Sequence, residues 1–316
     1  MASGEDKNMK LYSVVIPVYN EEESIINSYN RLKAVMNGLD SPYELIFVDD
    51  GSSDNSYILL NEIADADANA KVLVFSRNFG HQTAVTAGMN VSRGDAVIII
   101  DADMQDPPEL IPEMIELWKK GNEVVYGKRN SRLGETFFKK FTAKVYYRML
   151  KGLSDQKIPE DAGDFRLLDR KVVNLMNNMP EHNRYLRGMS AWIGFNQCPI
   201  EYTREERKEG VSKYSFKKML SLAADGAVSM SGRPLRLVLT GGSAISFLGC
   251  LGLIALIIVW IVESFNPIIL LCSLMALFSG LIMISAGILG AYIGRIYDEA
   301  KDRPLYIIKE MINFKE

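Results

Sequence analysis

Cysteine and histidine are scarce in this chain of 316 residues, which contains three cysteines and two histidines. Cys198, Cys250 and Cys272 form no disulfide framework, and no cluster of cysteine and histidine indicates a zinc site. The formal net charge is only −3, so the broad basic surface of a nucleic-acid-binding protein is also missing. Residues 1–10 are polar, and no secretory signal is predicted from them.

Two glycine-rich phosphate motifs are missing as well. No Gly-x-Gly-x-x-Gly follows any apolar run of the N-terminal half, and no Gly-x-x-x-x-Gly-Lys-Ser/Thr loop occurs. These absences disfavour a dinucleotide oxidoreductase and a P-loop nucleotidase. A nucleotide site built from carboxylates and a metal ion remains open.

Short apolar runs alternate with helical patterns through the first 130 residues. The runs lie at 13–18, 43–48, 72–75, 96–100 and 124–127, and polar loops follow them. We expect Asn20 to cap the first helix, with acidic residues in its first turn. This alternation predicts an α/β fold with a parallel sheet covered on both faces. In such sheets, ligands bind beyond the carboxyl ends of the strands.

The strongest single feature is the sequence DADMQD at residues 101–106, directly after the fourth apolar run. Mg²⁺ prefers oxygen ligands and is usually held by one or two carboxylates together with substrate phosphates. A bare Asp-x-Asp is more often a polar strand end. Its position at the end of a buried strand, beside the acidic loop at 48–54, favours a divalent cation that carries a diphosphate.

Three ordered blocks resemble the nucleotide-sugar site of the family 2 glycosyltransferases, which have the GT-A fold with a Rossmann-like, mainly parallel sheet. The blocks are residues 13–21 (SVVIPVYNE), 48–54 (VDDGSSD) and 101–105 (DADMQ). Residues 78–82 (NFGHQ), 163–167 (GDFRL) and 207–214 (RKEGVSKY) extend the likeness to the polyprenyl-phosphate glycosyltransferases, a group that includes bactoprenol glucosyltransferases and dolichyl-phosphate mannose synthases.

The resemblance implies a role for each matching residue. The nucleoside and sugar-nucleotide positions are Pro17, Tyr19, Glu21, Asp50, Asp101, Ala102 and Asp103. The metal positions, for Mg²⁺ or Mn²⁺, are Asp101, Asp103 and Gln105. Arg129 corresponds to an arginine that meets the phosphates, and Asp164 to an aspartate near the sugar, so that Asp103, Asp164 and Arg129 form the implied catalytic set. His81 either touches the donor or packs on its neighbours.

Two long uncharged segments, 237–262 and 267–293, each exceed the roughly 20 apolar residues that cross a membrane, so two transmembrane helices are predicted. Arginine and lysine flank this hairpin but not its connecting loop. The positive-inside rule therefore places both termini in the cytoplasm. Residues 137–151 and 215–227 mix aromatic and basic residues, and the second stretch is expected to lie at the membrane interface. Arg207, Ser212 and Lys213 would then bind the phosphate of a lipid acceptor.

The predicted organisation is a cytoplasmic GT-A domain at 1–210, an amphipathic segment at 211–236, a transmembrane hairpin at 237–294 and a cytoplasmic tail at 295–316. The predicted enzyme is an inverting, metal-dependent transferase of the inner (plasma) membrane. It would move a sugar, glucose from UDP-glucose as the first guess, to undecaprenyl or dolichyl phosphate, and it would form a homo-oligomer such as a tetramer. The alternatives are a processive polysaccharide synthase, although its Gln-x-x-Arg-Trp motif is missing, and a non-catalytic nucleotide-sugar-binding scaffold in the membrane.

Overall fold

The computed structural model describes residues 9–129, 162–203 and 267–314, together with the single positions 240, 247, 251, 252 and 254. Its strands are β1 (Tyr12–Val18), β2 (Tyr43–Asp49), β3 (Ala70–Phe75), β4 (Ala96–Ile99), β5 (Val124–Arg129), β6 (Ala162–Asp169), β7 (Gln197–Tyr202) and β8 (Ile308–Ile312). Its helices are α1 (Ile25–Asn37), α2 (Ser56–Ala66), α3 (His81–Val91), α4 (Ile111–Lys119), α5 (Arg170–Asn177), α6 (Leu186–Ile193) and α7 (Pro267–Ala300), with a 3₁₀ turn at Pro108–Leu110.

The strands form one sheet in the order β7-β5-β6-β4-β1-β2-β3-β8. β4, β1, β2 and β3 are parallel neighbours, as the alternation of strands and helices predicts. β6 is antiparallel to β4 and β5, and β8 is antiparallel to β3. The α/β prediction is therefore confirmed, but the sheet is mixed, because β6 and β8 run antiparallel to the other strands.

Both faces of the central strands are buried, because successive side chains point to opposite faces and each face packs under helices. In β1, Val14 and Ile16 join the apolar cluster under α1, α2 and α4, whereas Val15 joins the cluster under α3, α5 and α6. All three side chains are fully buried. The Val/Ile-rich strands thus act as the middle layer of a three-layer domain.

The predicted helix cap at Asn20 is wrong. Helix α1 begins at Ile25 after Ser24 and has no acidic residue in its first turn. Asn20 adopts φ 54° and ties two loops together: its N–H donates to Ser52 Oγ at 3.0 Å, and its Oδ1 accepts from the Ser53 N–H at 2.8 Å. The side chain of Asn20 is therefore used by the neighbouring loop and not by the helix.

The C-terminal part of the chain supplies the edge strand β8, for which the sequence gives no signal. Tyr306 stacks on Phe75 of β3, with ring centroids 5.1 Å apart. Asn313 then donates its side-chain amide to the carbonyl oxygens of Ala64 at 2.6 Å and Ala70 at 2.8 Å, which joins the end of α2 to the start of β3. Residues 304–314 thus belong to the sheet domain, while α7 up to residue 300 belongs to a second compact unit.

Among the described residues, one helical segment is long and apolar enough to cross a membrane. It comprises Leu277–Ala300 within α7, with a mean hydropathy of 1.8 over its most apolar window. α7 continues seven residues past the predicted end at residue 293. The predicted first span lies almost wholly outside the described residues, as do the segments 137–151 and 215–227.

Candidate active site

The acidic loops predicted to form the site lie together at the carboxyl ends of the parallel strands. β1, β2 and β4 are parallel neighbours, and each is followed by one of these loops. β6 runs the opposite way and pairs Arg166 with Ile99 of β4, so its first residues, including Asp164, lie beside the end of β4. The sheet topology therefore places Asp164 next to the residues that follow β4.

The loop after β1 and the loop after β2 are joined by hydrogen bonds. The N–H of Glu21 donates to Ser56 Oγ at 2.9 Å, and Glu22 accepts from the N–H of Asn55 at 3.0 Å. Pro17 is buried in β1, whereas the Tyr19 side chain is 45% exposed at the rim that these two loops form around the candidate site. These contacts give the rim a fixed shape with one open aromatic ring, which suits stacking on a base.

Asp50 is held inside the protein. It is 2% exposed, and its two carboxylate oxygens accept from the N–H groups of Phe79 at 2.6 Å and Gly80 at 2.9 Å. Burial raises the pKa of Asp50, and these two hydrogen bonds oppose the rise. The observed contacts of Asp50 therefore fix the start of α3, and a direct contact with the nucleoside stays a prediction.

Asp101 and Asp103 follow β4 in a tight loop. The buried residues Ala102 and Met104 anchor this loop, with Met104 at φ 50°, and the N–H of Gln105 donates to Asp103 Oδ1 at 3.2 Å. Asp101 Oδ1 is buried and accepts no hydrogen bond from any described residue. Burial raises the pKa of Asp101 to about 6; His81 opposes the rise and the surrounding carboxylates add to it.

The same loop has an anchor that the sequence did not reveal. Asp106 is buried and accepts a hydrogen bond from the hydroxyl group of Tyr202, which is 5% exposed on β7. Tyr202 also packs closely on Gly127 of β5, where an added Cβ would lie 2.7 Å from the Tyr202 ring. The contact joins residues 96 positions apart, so only the strand order could have suggested it.

Asp164 lies at the centre of a charged cluster. Its two oxygens accept from Nε and Nη2 of Arg187, each at 2.7 Å. His81, the first residue of α3, has Nε2 3.9 Å from Asp164 Oδ2 and 3.7 Å from Asp101 Oδ1. Burial alone would raise the pKa of Asp164, but Arg187 outweighs it and holds the pKa well below its usual range. Asp164 is therefore an ionised acceptor at neutral pH.

The donor set fits a divalent cation that is shared with a ligand. Among the residues that the structure describes, no three His, Cys, Asp or Glu side chains converge on one metal position. An all-protein cage is accordingly not present in that part of the chain. Two carboxylates in one loop, one with a buried oxygen that accepts no hydrogen bond from the described residues, match a cation that completes its coordination with phosphate and water.

The side chains of four predicted site residues are not described by the structure. Arg207, Ser212 and Lys213 lie outside the described residues. Arg129 ends β5, but its side chain is not described. Their roles stay predictions.

A family profile and curated relatives both match this chain to glycosyl transferases. The profile described as Glycosyl transferase family 2 matches residues 13–175, which contain Asp50, Asp101, Asp103 and Asp164. The uncharacterized glycosyltransferase YkcC of Bacillus subtilis is 50% identical over 304 residues, covering 95% of this chain and 93% of its own length. A prophage-derived bactoprenol glucosyl transferase of Shigella flexneri is 39% identical over 302 residues, covering 94% and 97%.

One solved structure with a similar chain path is glucosyl-3-phosphoglycerate synthase from Mycobacterium tuberculosis in complex with uridine-diphosphate. It is 18% identical, with a TM-score of 0.46, and the match covers 70% of this chain and 79% of the synthase.

Proposed function

This chain belongs to glycosyl transferase family 2, and from that premise we propose that it transfers a sugar from a nucleotide sugar to a polyprenyl phosphate in the membrane. UDP-glucose is the first candidate donor. The observation that carries the proposal is the likeness to bactoprenol glucosyl transferases, which extends over 94% of the chain and so includes the apolar C-terminal part. The apolar segment Leu277–Ala300 supports a membrane location.

The nucleoside would occupy the rim formed by the loops after β1 and β2. Tyr19 offers an exposed ring for the base, with Pro17 of β1 before it and Glu21 of the following loop after it. Asp50 would act mainly by holding Phe79 and Gly80 in place, because little of its carboxylate is accessible.

The diphosphate would lie against Asp101 and Asp103. When bound, Mg²⁺ or Mn²⁺ supplies Lewis-acid stabilisation for the negative charge of the departing nucleoside diphosphate. Asp103, with Asp101 and Gln105, would hold the cation, and Arg129 would add a positive charge from the end of β5. Neutralisation of this kind is worth most where water is excluded.

The acceptor needs little activation. A lipid monophosphate has a second pKa near about 6 and is mostly dianionic at neutral pH, so it can attack the anomeric carbon without a general base. The protein must bring two anions together, which is the proposed task of Arg207, Ser212 and Lys213. Asp164 then positions a hydroxyl group and removes no proton, and the reaction is a single displacement with inversion.

The test is direct transfer by the full chain purified in detergent. Radiolabelled UDP-glucose, UDP-galactose and UDP-N-acetylglucosamine are each incubated with undecaprenyl phosphate and Mg²⁺ or Mn²⁺, and the organic-extractable label is counted. We expect one donor to label the lipid, and we expect EDTA to abolish the signal.

Two controls make the result specific. Asp103→Asn should lose transfer, whereas Glu116→Gln on the exposed surface of α4 should keep it. Label in a water-soluble polymer would instead indicate a polysaccharide synthase. Nucleotide binding with no transfer of any donor would indicate a binding scaffold and would overturn the proposal.

A further inference from the structure

Arg187 makes a two-point contact with Asp164. Its Nε and Nη2 each lie 2.7 Å from one carboxylate oxygen, which is the forked geometry that only arginine provides. The Asp164 and Arg187 side chains are 18% and 28% exposed, so the pair lies largely inside the protein. A fork of this kind fixes the plane of the carboxylate as well as its position.

The helix that carries Arg187 is itself fastened on both sides. The buried Arg166 of β6 donates to the carbonyl oxygen of Gly163 at 2.9 Å and to Ser190 Oγ of α6 at 2.7 Å. On the other side, the N–H of Leu186 donates to Gln82 Oε1 of α3 at 3.1 Å. Residues on both sides of Arg187 are therefore tied to neighbouring elements, which fixes the backbone from which the Arg187 side chain extends.

Asp164 is placed between this support and the loop proposed to bind the diphosphate. Arg187 binds both of its oxygens, while His81 stands between Asp164 and Asp101 at 3.9 Å and 3.7 Å. An ionised carboxylate has about four lone-pair directions, so two remain after the fork is made. A sugar attached to a diphosphate at Asp101 and Asp103 would lie within reach of those two.

We propose that Arg187 is a positioning residue, which fixes Asp164 as the acceptor for a hydroxyl group of the donor sugar and so sets the affinity for the nucleotide sugar relative to the bare nucleotide. The inference rests on the proposed function for the identity of the donor. It assigns Arg187 no contact with the nucleotide itself. The effect of removing Arg187 should therefore appear only when the sugar is present.

The experiment measures dissociation constants for UDP and UDP-glucose by calorimetry, with the full chain in detergent and Mg²⁺. In Arg187→Gln, we expect UDP binding to stay within twofold of wild type and the ratio of the UDP-glucose constant to the UDP constant to rise about tenfold. Arg187→Lys keeps the charge without the fork, and we expect it to recover part of the loss. Asp164→Asn combined with Arg187→Gln should be no worse than Asp164→Asn alone, because both act on one contact.

Arg31→Gln is the matched control. Arg31 on α1 makes a similar fork through Nε and Nη2 to Glu109, and its loss should leave the ratio unchanged. Equal weakening of UDP and UDP-glucose in Arg187→Gln would overturn the inference, as would an unchanged ratio or an additive double variant. If wild type transfers nothing to undecaprenyl phosphate while the ratio still shifts, the proposed acceptor fails and the role of Arg187 stands.

Discussion

Asp101 and Asp103 concentrate negative charge where the proposed substrate brings more. Burial is the main cause of the raised pKa of Asp101, about 6, and the neighbouring carboxylates raise it further. Oδ1 of Asp101 accepts no hydrogen bond from the described residues, so the crowded charge has no donor there to offset it. A cation relieves it, because a nearby positive charge favours the ionised carboxylates. The proposed cation would thus balance the charge of the loop and assist the proposed transfer at the same time.

For Asp103→Asn, we expect transfer to fall at least a hundredfold while folding is kept, because the amide has the same shape but no charge to hold the cation. Steady-state transfer to undecaprenyl phosphate measures the loss, and circular dichroism checks the fold. Wild-type turnover that persists in excess EDTA would contradict the metal assignment.

Glu44 provides a separate prediction about stability. It is 4% exposed in β2 and accepts hydrogen bonds from Lys71, Ser13 and the Arg93 N–H. Burial would raise the pKa of Glu44, but these three bonds outweigh it, and the pKa is lowered. The stabilisation is therefore fully present above the unfolded-state pKa of about 4.3 and is lost as the pH falls below it.

We expect Glu44→Gln to lower the stability of the sheet domain by about 3 kcal/mol at pH 7, because it leaves Lys71, whose side chain is only 14% exposed, without its carboxylate partner. Thermal unfolding in detergent between pH 3.5 and pH 7.5 should show the variant and wild type converging at the acidic end. Glu116→Gln, which removes an exposed ion pair, should follow the wild-type curve throughout. A constant gap for Glu44→Gln at all pH values would rule out this origin.

The sequence predicted Asp50, Asp101 and Asp103 as site residues, because each lies in a polar loop that follows a recognisable apolar strand, and their roles stay predictions. It missed Arg187, Arg166 and the contact of Asp106 with Tyr202. These depend on β6, α6 and β7 coming together, and nothing in a local sequence window specifies that β6 inserts beside β4. Asn20 was misassigned for a similar reason, since a helix cap and a tie between loops have the same local pattern.

At the scale of elements, α3 connects the core to the site. It begins at His81, its preceding residues bind Asp50, and Gly88 in its middle lies directly on β1. A Cβ on Gly88 would lie 2.3 Å from Val15 Cγ1 and 3.2 Å from Val48 Cγ2. The close approach of helix and sheet therefore requires glycine at this position.

We expect Gly88→Ala to reduce the free energy of unfolding by about 1–3 kcal/mol through overpacking. We also expect the transfer rate to fall in the protein that remains folded, because α3 must shift and carries His81 with it. The thermal midpoint and the transfer rate are measured on the same preparation. Gly280→Ala in α7, where an added Cβ meets no described residue within 4 Å, should change neither. Full activity in Gly88→Ala would mean that the position of α3 is not critical.

The alternation of strands and helices predicted the parallel group β4-β1-β2-β3 correctly. It could not predict the antiparallel strands β6 and β8. β6 and β8 pair with strands that are distant in the sequence, and local patterns do not indicate such partners. The run at Ile308–Ile312 is also short and follows a long apolar helix, so it gives only a weak strand signal.

At the scale of the whole molecule, the sheet domain is discontinuous in sequence. β7 ends at Tyr202 on one edge of the sheet, and β8 forms the other edge. Seven steps of about 4.8 Å separate the two edges, or about 34 Å. A soluble version of the domain therefore has to keep residues 304–314 and to bridge that distance.

We expect replacement of residues 214–303 by a Gly/Ser linker of about 40 residues, whose mean reach is about 35 Å, to give a folded protein that binds UDP with Mg²⁺ but transfers sugar poorly to undecaprenyl phosphate. A chain that stops at residue 213 should bind UDP less well and aggregate, because β3 becomes an open edge. Calorimetry and light scattering compare the two. Equal behaviour would show that β8 adds nothing to the domain.

The position of β8 also fixes an order of events during translation. Among the described strands, six of the seven pairings use residues up to Tyr202, but the outer edge of β3 is covered only after β8, which follows α7, has been synthesised. During synthesis of the apolar helix α7, the nascent domain therefore has an unpaired strand edge at β3. Premature termination at any codon before Ile308 would remove β8, so we expect a nonsense mutation far beyond the proposed site residues still to give a product whose open edge promotes aggregation.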